Sequence, residues 1–169
     1  MLMLATRTKR STQLLTHPDL DLQRYAGLWH EYARLPNGYQ AGCTGAVTAE
    51  YTYMEDDNLR VSFTCTNPEC EILRAEGELR PSDPADPAKL EIRFSSDWLS
   101  APSSVWREHW VVYVDPNYEH AMIGTSDRRC LWMLGRNAVP DRGALEAMLR
   151  YAAQLGFSVR HVLRTGETG

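Results

Sequence analysis

Residues 25–36 read Tyr25-Ala26-Gly27-Leu28-Trp29-His30-Glu31-Tyr32-Ala33-Arg34-Leu35-Pro36, and the fold turns on how they are read. A Gly two residues ahead of a Trp, entering an apolar/polar alternation, predicts a strand over 28–35 whose first turn lets the indole tuck beneath something. Trp29, Glu31, Ala33 and Leu35 then share one face because strand side chains alternate, and the small Ala33 leaves room beside the indole. By itself the stretch also fits a core Trp in any β domain. The surrounding sequence narrows the choice.

The chain has 169 residues, 43% of them hydrophobic and 24% charged, enough for one globular domain with a sizeable core. A net charge of -4 and scattered basic residues give no footprint for nucleic acid, so no nucleic-acid partner is expected. No apolar run is long enough for a membrane-spanning helix. Residues 1–10 place their apolar residues before their charges, the reverse of a secretory signal, and the first cysteine is Cys43, so no lipid-attachment Cys precedes it. As written the chain reads as cytoplasmic; a different start site would allow the periplasm or the outer membrane.

Residues 1–18 read as a polar, basic, flexible tail, and 19–169 as the single domain. Asp21 is an N-cap for one helical turn that delivers the chain to Gly27. After the strand over 28–35 comes an irregular loop, Pro36 to Gly42. Val47, Ala49, Tyr51 and Tyr53 alternate with Thr48, Glu50 and Thr52, and Leu59, Val61, Phe63 and Cys65 alternate with Arg60, Ser62 and Thr64, around the turn 55–58. Further strands are expected over 71–80, 89–94, 105–114, 119–125 and 130–136, with a turn at 81–87 and a polar loop at 95–104. One long amphipathic helix follows over 140–155, with Pro140 near its start, Leu145, Met148, Leu149, Ala152 and Leu155 on one stripe, and Gly156 just past its end. A short strand over 157–163 completes the pattern.

Eight sequential antiparallel strands, each with one apolar face, can close by pairing the first with the last. The expected fold is all-β, an eight-stranded up-and-down β-barrel with one C-terminal α-helix packed outside. The inward set mixes Tyr51, Tyr53, Phe63, Phe94 and Trp132 with Ala33, Ala49, Ala75 and Gly77. So many small inward residues favour an apolar cavity over a filled barrel.

Three groups of residues carry a resemblance: Gly27-Leu28-Trp29, then Val114-Asp115-Pro116-Asn117-Tyr118, then Leu134-Gly135-Arg136 ahead of the helix. With Tyr32-Ala33-Arg34-Leu35-Pro36 and Asp86-Pro87-Ala88-Lys89-Leu90 in support, the chain from about 19 to 163 resembles the lipocalin family, above all the bacterial subgroup similar to apolipoprotein D. His30 stands where that subgroup usually has Tyr, and Gly135 where Ser is commoner. The resemblance implies a structural motif of Gly27, Trp29, Asp115, Tyr118 and Arg136, with Arg136 lying across the Trp29 ring at the closed end, a cation-π contact. It also implies fatty acids or lysophospholipids as the ligands; the expected protein is a non-enzymatic carrier, a monomer or homodimer open to peripheral membrane contact, with no cofactor or metal because the histidines, serines and cysteines lack metal or catalytic spacing.

Ligand-facing expectations are Ala33, Ala49, Tyr51, Phe63, Ala75, Phe94, His109 and Trp132, with Tyr39 and Trp98 guarding the entrance. Glu31 is a headgroup anchor or general acid on one reading, and on the favoured one a structural Glu bonded to a Tyr or to Arg136. His109 alternates with Val111 and Tyr113 and faces inward, but the five histidines show no metal spacing. A haem-binding or enzymatic barrel using His109 or Glu31, and a ligand-free structural barrel, remain the alternatives. Topology puts Cys43, Cys65, Cys70 and Cys130 at the barrel mouth. Cys65 with Cys70 is the expected disulfide and Cys43 with Cys130 the second, against a four-Cys zinc site or free thiols.

Overall fold

The computed structural model describes residues 13–95 and 105–166. A single helical turn, α1 (Leu22–Tyr25), opens the domain, capped by Asp21, whose carboxylate accepts from the amides of Gln23 and Arg24. Eight antiparallel strands follow: β1 (Gly27–Arg34), β2 (Val47–Tyr53), β3 (Leu59–Thr66), β4 (Ile72–Asp83), β5 (Asp86–Phe94), β6 (Arg107–Val114), β7 (His120–Gly124) and β8 (Leu131–Gly135). Each pairs with its neighbour in sequence, and β1 pairs with both β8 and β2, so the barrel closes as the alternation requires.

β4 and β5 run further than their apolar pattern indicates, into the stretch read as a turn. Pro81 offers no amide to the ladder, and a register shift between Pro81 and Asp83 absorbs that loss. The helix α2 spans Arg142–Gln154, two residues later than expected at its start. Asp141 caps it by accepting from the Ala144 amide, and Gly156 adopts φ +94 beyond the end. The expected final strand is instead a 3₁₀ turn, Val159–His161, then a two-residue strand, β9 (Leu163–Arg164), on the second half of β1.

Two large apolar clusters divide most of the described interior, with a small third one of Cys43, Val47 and Cys65. One fills the barrel around Trp29, Tyr51, Val61, Leu90, Val111 and Ile123. The other lies between the barrel wall and α2, where Leu145, Met148 and Ala152 meet Tyr32, Ala33, Val112, Met122, Leu131 and Met133. Burying Leu145 and Met148 contributes about 1.5–3 kcal/mol each, enough to dock the helix. Leu14 is buried in this second cluster, and the amide of His17 donates to the Val111 carbonyl at 2.8 Å. The packed chain therefore begins earlier than the expected tail boundary at residue 18; residues 1–12 lie outside the description.

Two bulges overturn simple alternation. The β1–β8 register shifts between Glu31 and Ala33, so that Tyr32 and Ala33 both join the cluster under α2. The β6–β7 register shifts between Val111 and Tyr113, which moves Val112 and Tyr113 outward together. An extra residue flips every later side chain to the other face.

Candidate functional site

The closed end is built by the three motifs together. Trp29 is fully buried; its indole donates to the Tyr25 carbonyl at 2.7 Å, and the Arg136 guanidinium lies 3.7 Å from its ring centroid. Arg136 also donates to the carbonyls of Tyr118, Leu28, Arg24, Tyr25 and Ala26, tying α1 and the β6–β7 turn to β1. Gly27, at φ +101, is needed there: a Cβ would come within 3.2 Å of Arg136 Nη1. Asp115 organises the β6–β7 turn by accepting from the amides of Asn117, Glu119 and His120, and the Tyr118 hydroxyl accepts from the Asp21 amide at 2.9 Å. These five residues form a plug.

Above the plug an apolar cavity of about 80 Å³ opens toward the other end. Ala49, Tyr51, Phe63, Phe94, His109 and Trp132 line it, and so does Tyr39; Trp98 lies outside the described residues. Ala33 does not line the cavity, because the β1 bulge turns it toward α2. Ala75 is buried opposite Phe63 but is not part of the lining. The space beside β4 is taken by the Phe63 and Phe94 rings, one from each flanking strand, whose centroids meet at 5.7 Å; Phe94 also packs against Gly77. Small residues on β4 thus admit neighbouring rings, and the lumen stays narrow.

His109 sits deep in the lumen. Its Nε2 and the Tyr51 hydroxyl are 3.0 Å apart, and the Trp132 ring lies 6.1 Å away. Burial lowers its pKa from 6.5 to about 3, and burial likewise raises that of Tyr51, so both side chains are neutral near pH 7. Glu31 also lines the cavity, bonded neither to a Tyr nor to Arg136. Its carboxylate accepts from Arg34 at 2.6 Å, Gln40 at 2.7 Å and Thr165 at 2.6 Å. Gln40 in turn accepts from the Trp132 indole at 2.6 Å, and Arg34 donates to the Cys43 carbonyl. This network fills the wedge where β1 and β2 part, since they pair over only four residues before β9 takes β2's place beside β1. Glu31 is a structural group.

The disulfide joins Cys43 to Cys65, with Cα atoms 5.5 Å apart, in place of the expected Cys65–Cys70 and Cys43–Cys130 pairs; Cys70 and Cys130 are free. Cys65 is the last inward residue of β3, facing Val47 across the ladder, whereas Cys70 is exposed in the turn beyond. The amides of Thr44 and Gly45 donate to the Thr66 carbonyl and bring Cys43 to that inner face. A bridge closing a loop of this length contributes about 3 kcal/mol and pins the β1–β2 loop at the mouth.

Several lining residues were not anticipated: Gln40, Arg107, Ile123, Thr125, Cys130 and Leu134. Arg107 was within reach, because it is two residues before His109 on one strand and shares its face. Gln40 had no signal, since a loop side chain is aimed by tertiary contacts alone.

A family profile described as "Lipocalin-like domain" matches residues 20–167. Temperature-induced lipocalin-1 of Arabidopsis thaliana is 30% identical over 88% of this chain and 80% of its own length. Outer membrane lipoprotein Blc of Escherichia coli K12 is 27% identical over 89% and 81%, and apolipoprotein D of Rattus norvegicus 29% over 70% and 62%. Among solved structures, lobster apocrustacyanin A1 covers 87% of this chain and 79% of its own, with a TM-score of 0.67 at 16% identity. Insecticyanin from the tobacco hornworm covers 90% and 84%, with a TM-score of 0.67 at 19% identity. The relatives span plant, bacterial and mammalian proteins at similar identity, so they mark the family and not a bacterial subgroup within it. With its barrel, external helix and three converging motifs, the chain belongs to the lipocalins, a family that binds small hydrophobic ligands.

Proposed function

We infer that the protein binds and carries single-chain lipids, fatty acids or lysophospholipids, with the hydrocarbon in the barrel and the headgroup at the mouth. One observation carries this reading: an apolar lumen sealed at the Trp29 end and open at the other, narrowed by Tyr51, Phe63, Phe94 and Trp132. Each buried methylene contributes about 0.8 kcal/mol, so a long chain gains affinity with few polar contacts. A narrow lumen also suits a linear chain better than a flat macrocycle such as haem. The three motifs further support a place near the bacterial lipocalins that resemble apolipoprotein D.

The test is delipidation followed by titration with a naturally fluorescent polyene fatty acid. Saturable binding at one site, displaced by oleate, is expected. No saturable binding would overturn the carrier reading in favour of a ligand-free barrel.

A further inference from the structure

Arg107 opens β6 at the mouth, lines the cavity and shares the inward face of His109. Other charged side chains around the lumen are already matched. Glu31 and Arg34 pair at 2.6 Å, and Glu108 turns to the Ser126 amide and hydroxyl at 2.7 and 2.8 Å. Arg107 takes part in none of the ion pairs among the described residues. Its Nη1 donates to the Tyr39 hydroxyl at 2.5 Å, and its guanidinium lies 4.9 Å from the centre of that ring. Its Nε is shut away from solvent and has no acceptor among the described residues.

Tyr39 therefore fixes one edge of the guanidinium, and the Nε/Nη2 edge has no partner among the described residues. That edge is the one whose two parallel N–H groups match the two oxygens of a carboxylate or phosphate. A cation in an apolar lumen with no counter-ion among the described residues, and a buried donor with no acceptor among them, call for an anionic oxygen from a ligand. Building on the single-chain lipid reading above, we propose that Arg107 is the headgroup anchor. It selects chains that end in an oxyanion over neutral chains of the same length. The tail then runs inward past Phe94 and Phe63 toward Tyr51, and Tyr39 holds the guanidinium in place before the ligand arrives.

The experiment compares oleate, oleyl alcohol and 1-oleoyl lysophosphatidylcholine by calorimetry on the delipidated full chain, as wild type, Arg107→Gln and Arg107→Lys. Wild type should bind oleate roughly tenfold or more tighter than oleyl alcohol. Arg107→Gln should weaken oleate by roughly tenfold to a hundredfold, with Arg107→Lys recovering part, while oleyl alcohol changes by less than about threefold. A parallel loss for the lysophospholipid assigns phosphate to the same edge; retained affinity for it restricts the edge to carboxylates. Equal weakening of oleate and oleyl alcohol, or undiminished oleate binding in Arg107→Gln, would overturn the anchor and leave the carrier reading intact. Wild type binding neither oleate nor the alcohol would instead overturn the carrier reading. If Arg107→Gln does not fold, the wild-type preference decides: equal affinity for acid and alcohol rejects the anchor.

Discussion

Two arginines at opposite ends of the barrel carry the same charge and do different work. Arg136 lies on the Trp29 ring and donates to five carbonyls from three segments, so its donors hold the protein to itself. Arg107 also lies near an aromatic ring, that of Tyr39, but has one described acceptor and a buried Nε with none. A guanidinium surrounded by carbonyls stabilises the fold. One left with a single described acceptor at the mouth of a lumen is available to something else. The contrast separates an end built for stability from an end built for binding, and it can be tested.

The largest effect belongs at the plug. Trp29 is fully buried beneath Arg136, and Trp29→Ala should cost about 3–5 kcal/mol in urea unfolding, since it leaves both a cavity and an uncovered guanidinium. A loss under about 1 kcal/mol would show that the closed end does not hold the barrel.

Acid comes next, through His109 in the lumen. Burial lowers its pKa to about 3 from 6.5, so between those values the unfolded chain binds a proton that the folded chain refuses. The stability linked to this group is complete above about pH 6.5 and falls as the pH drops toward 3, by about 2 kcal/mol between pH 6.5 and 5. Urea midpoints at pH 7 and 5 should differ less in His109→Gln than in wild type. An unchanged pH dependence would place the imidazole in water.

A smaller effect is expected where the plug meets the helix side. Gly135 stands where Ser is commoner in the family it resembles, and a Cβ there would sit 2.1 Å from the Tyr32 ring, whose hydroxyl donates to the Asn137 carbonyl. Gly135→Ser should therefore cost about 1–2 kcal/mol, and less in a Tyr32→Ala background, because the clash is with one ring. Equal cost in both backgrounds would point to the backbone. Arg107→Gln should change stability least, by no more than about 0.5 kcal/mol, because so few protein groups depend on that side chain. A plug-sized loss there would erase the distinction between the two ends.

Much of this was legible in the chain. Period-two alternation indicated eight strands, Asp21 and Gly156 marked helix ends, and the resemblance carried by Gly27, Trp29, Asp115, Tyr118 and Arg136 implied one closed end. The lumen was legible in part: six of the eight proposed ligand-facing residues line it. Ala33 failed because alternation cannot foresee a bulge, and Ala75 because a small residue invites either a ligand or its neighbours' rings. The cysteine pairing failed because nearness in sequence outweighed which face of the strand each sulfur occupies.

Sequence periodicity determined the wall, because strand alternation and turn chemistry are local properties that a few adjacent residues express, whereas the plug was legible only through the family resemblance that its motifs carry. Only the tertiary structure decided the disulfide, the filling beside β4, the satisfied state of Glu31 and the Arg107 Nε left without an acceptor among the described residues. Each of these depends on what residues far apart in the chain bring to the same few ångströms, and that is settled when the barrel closes.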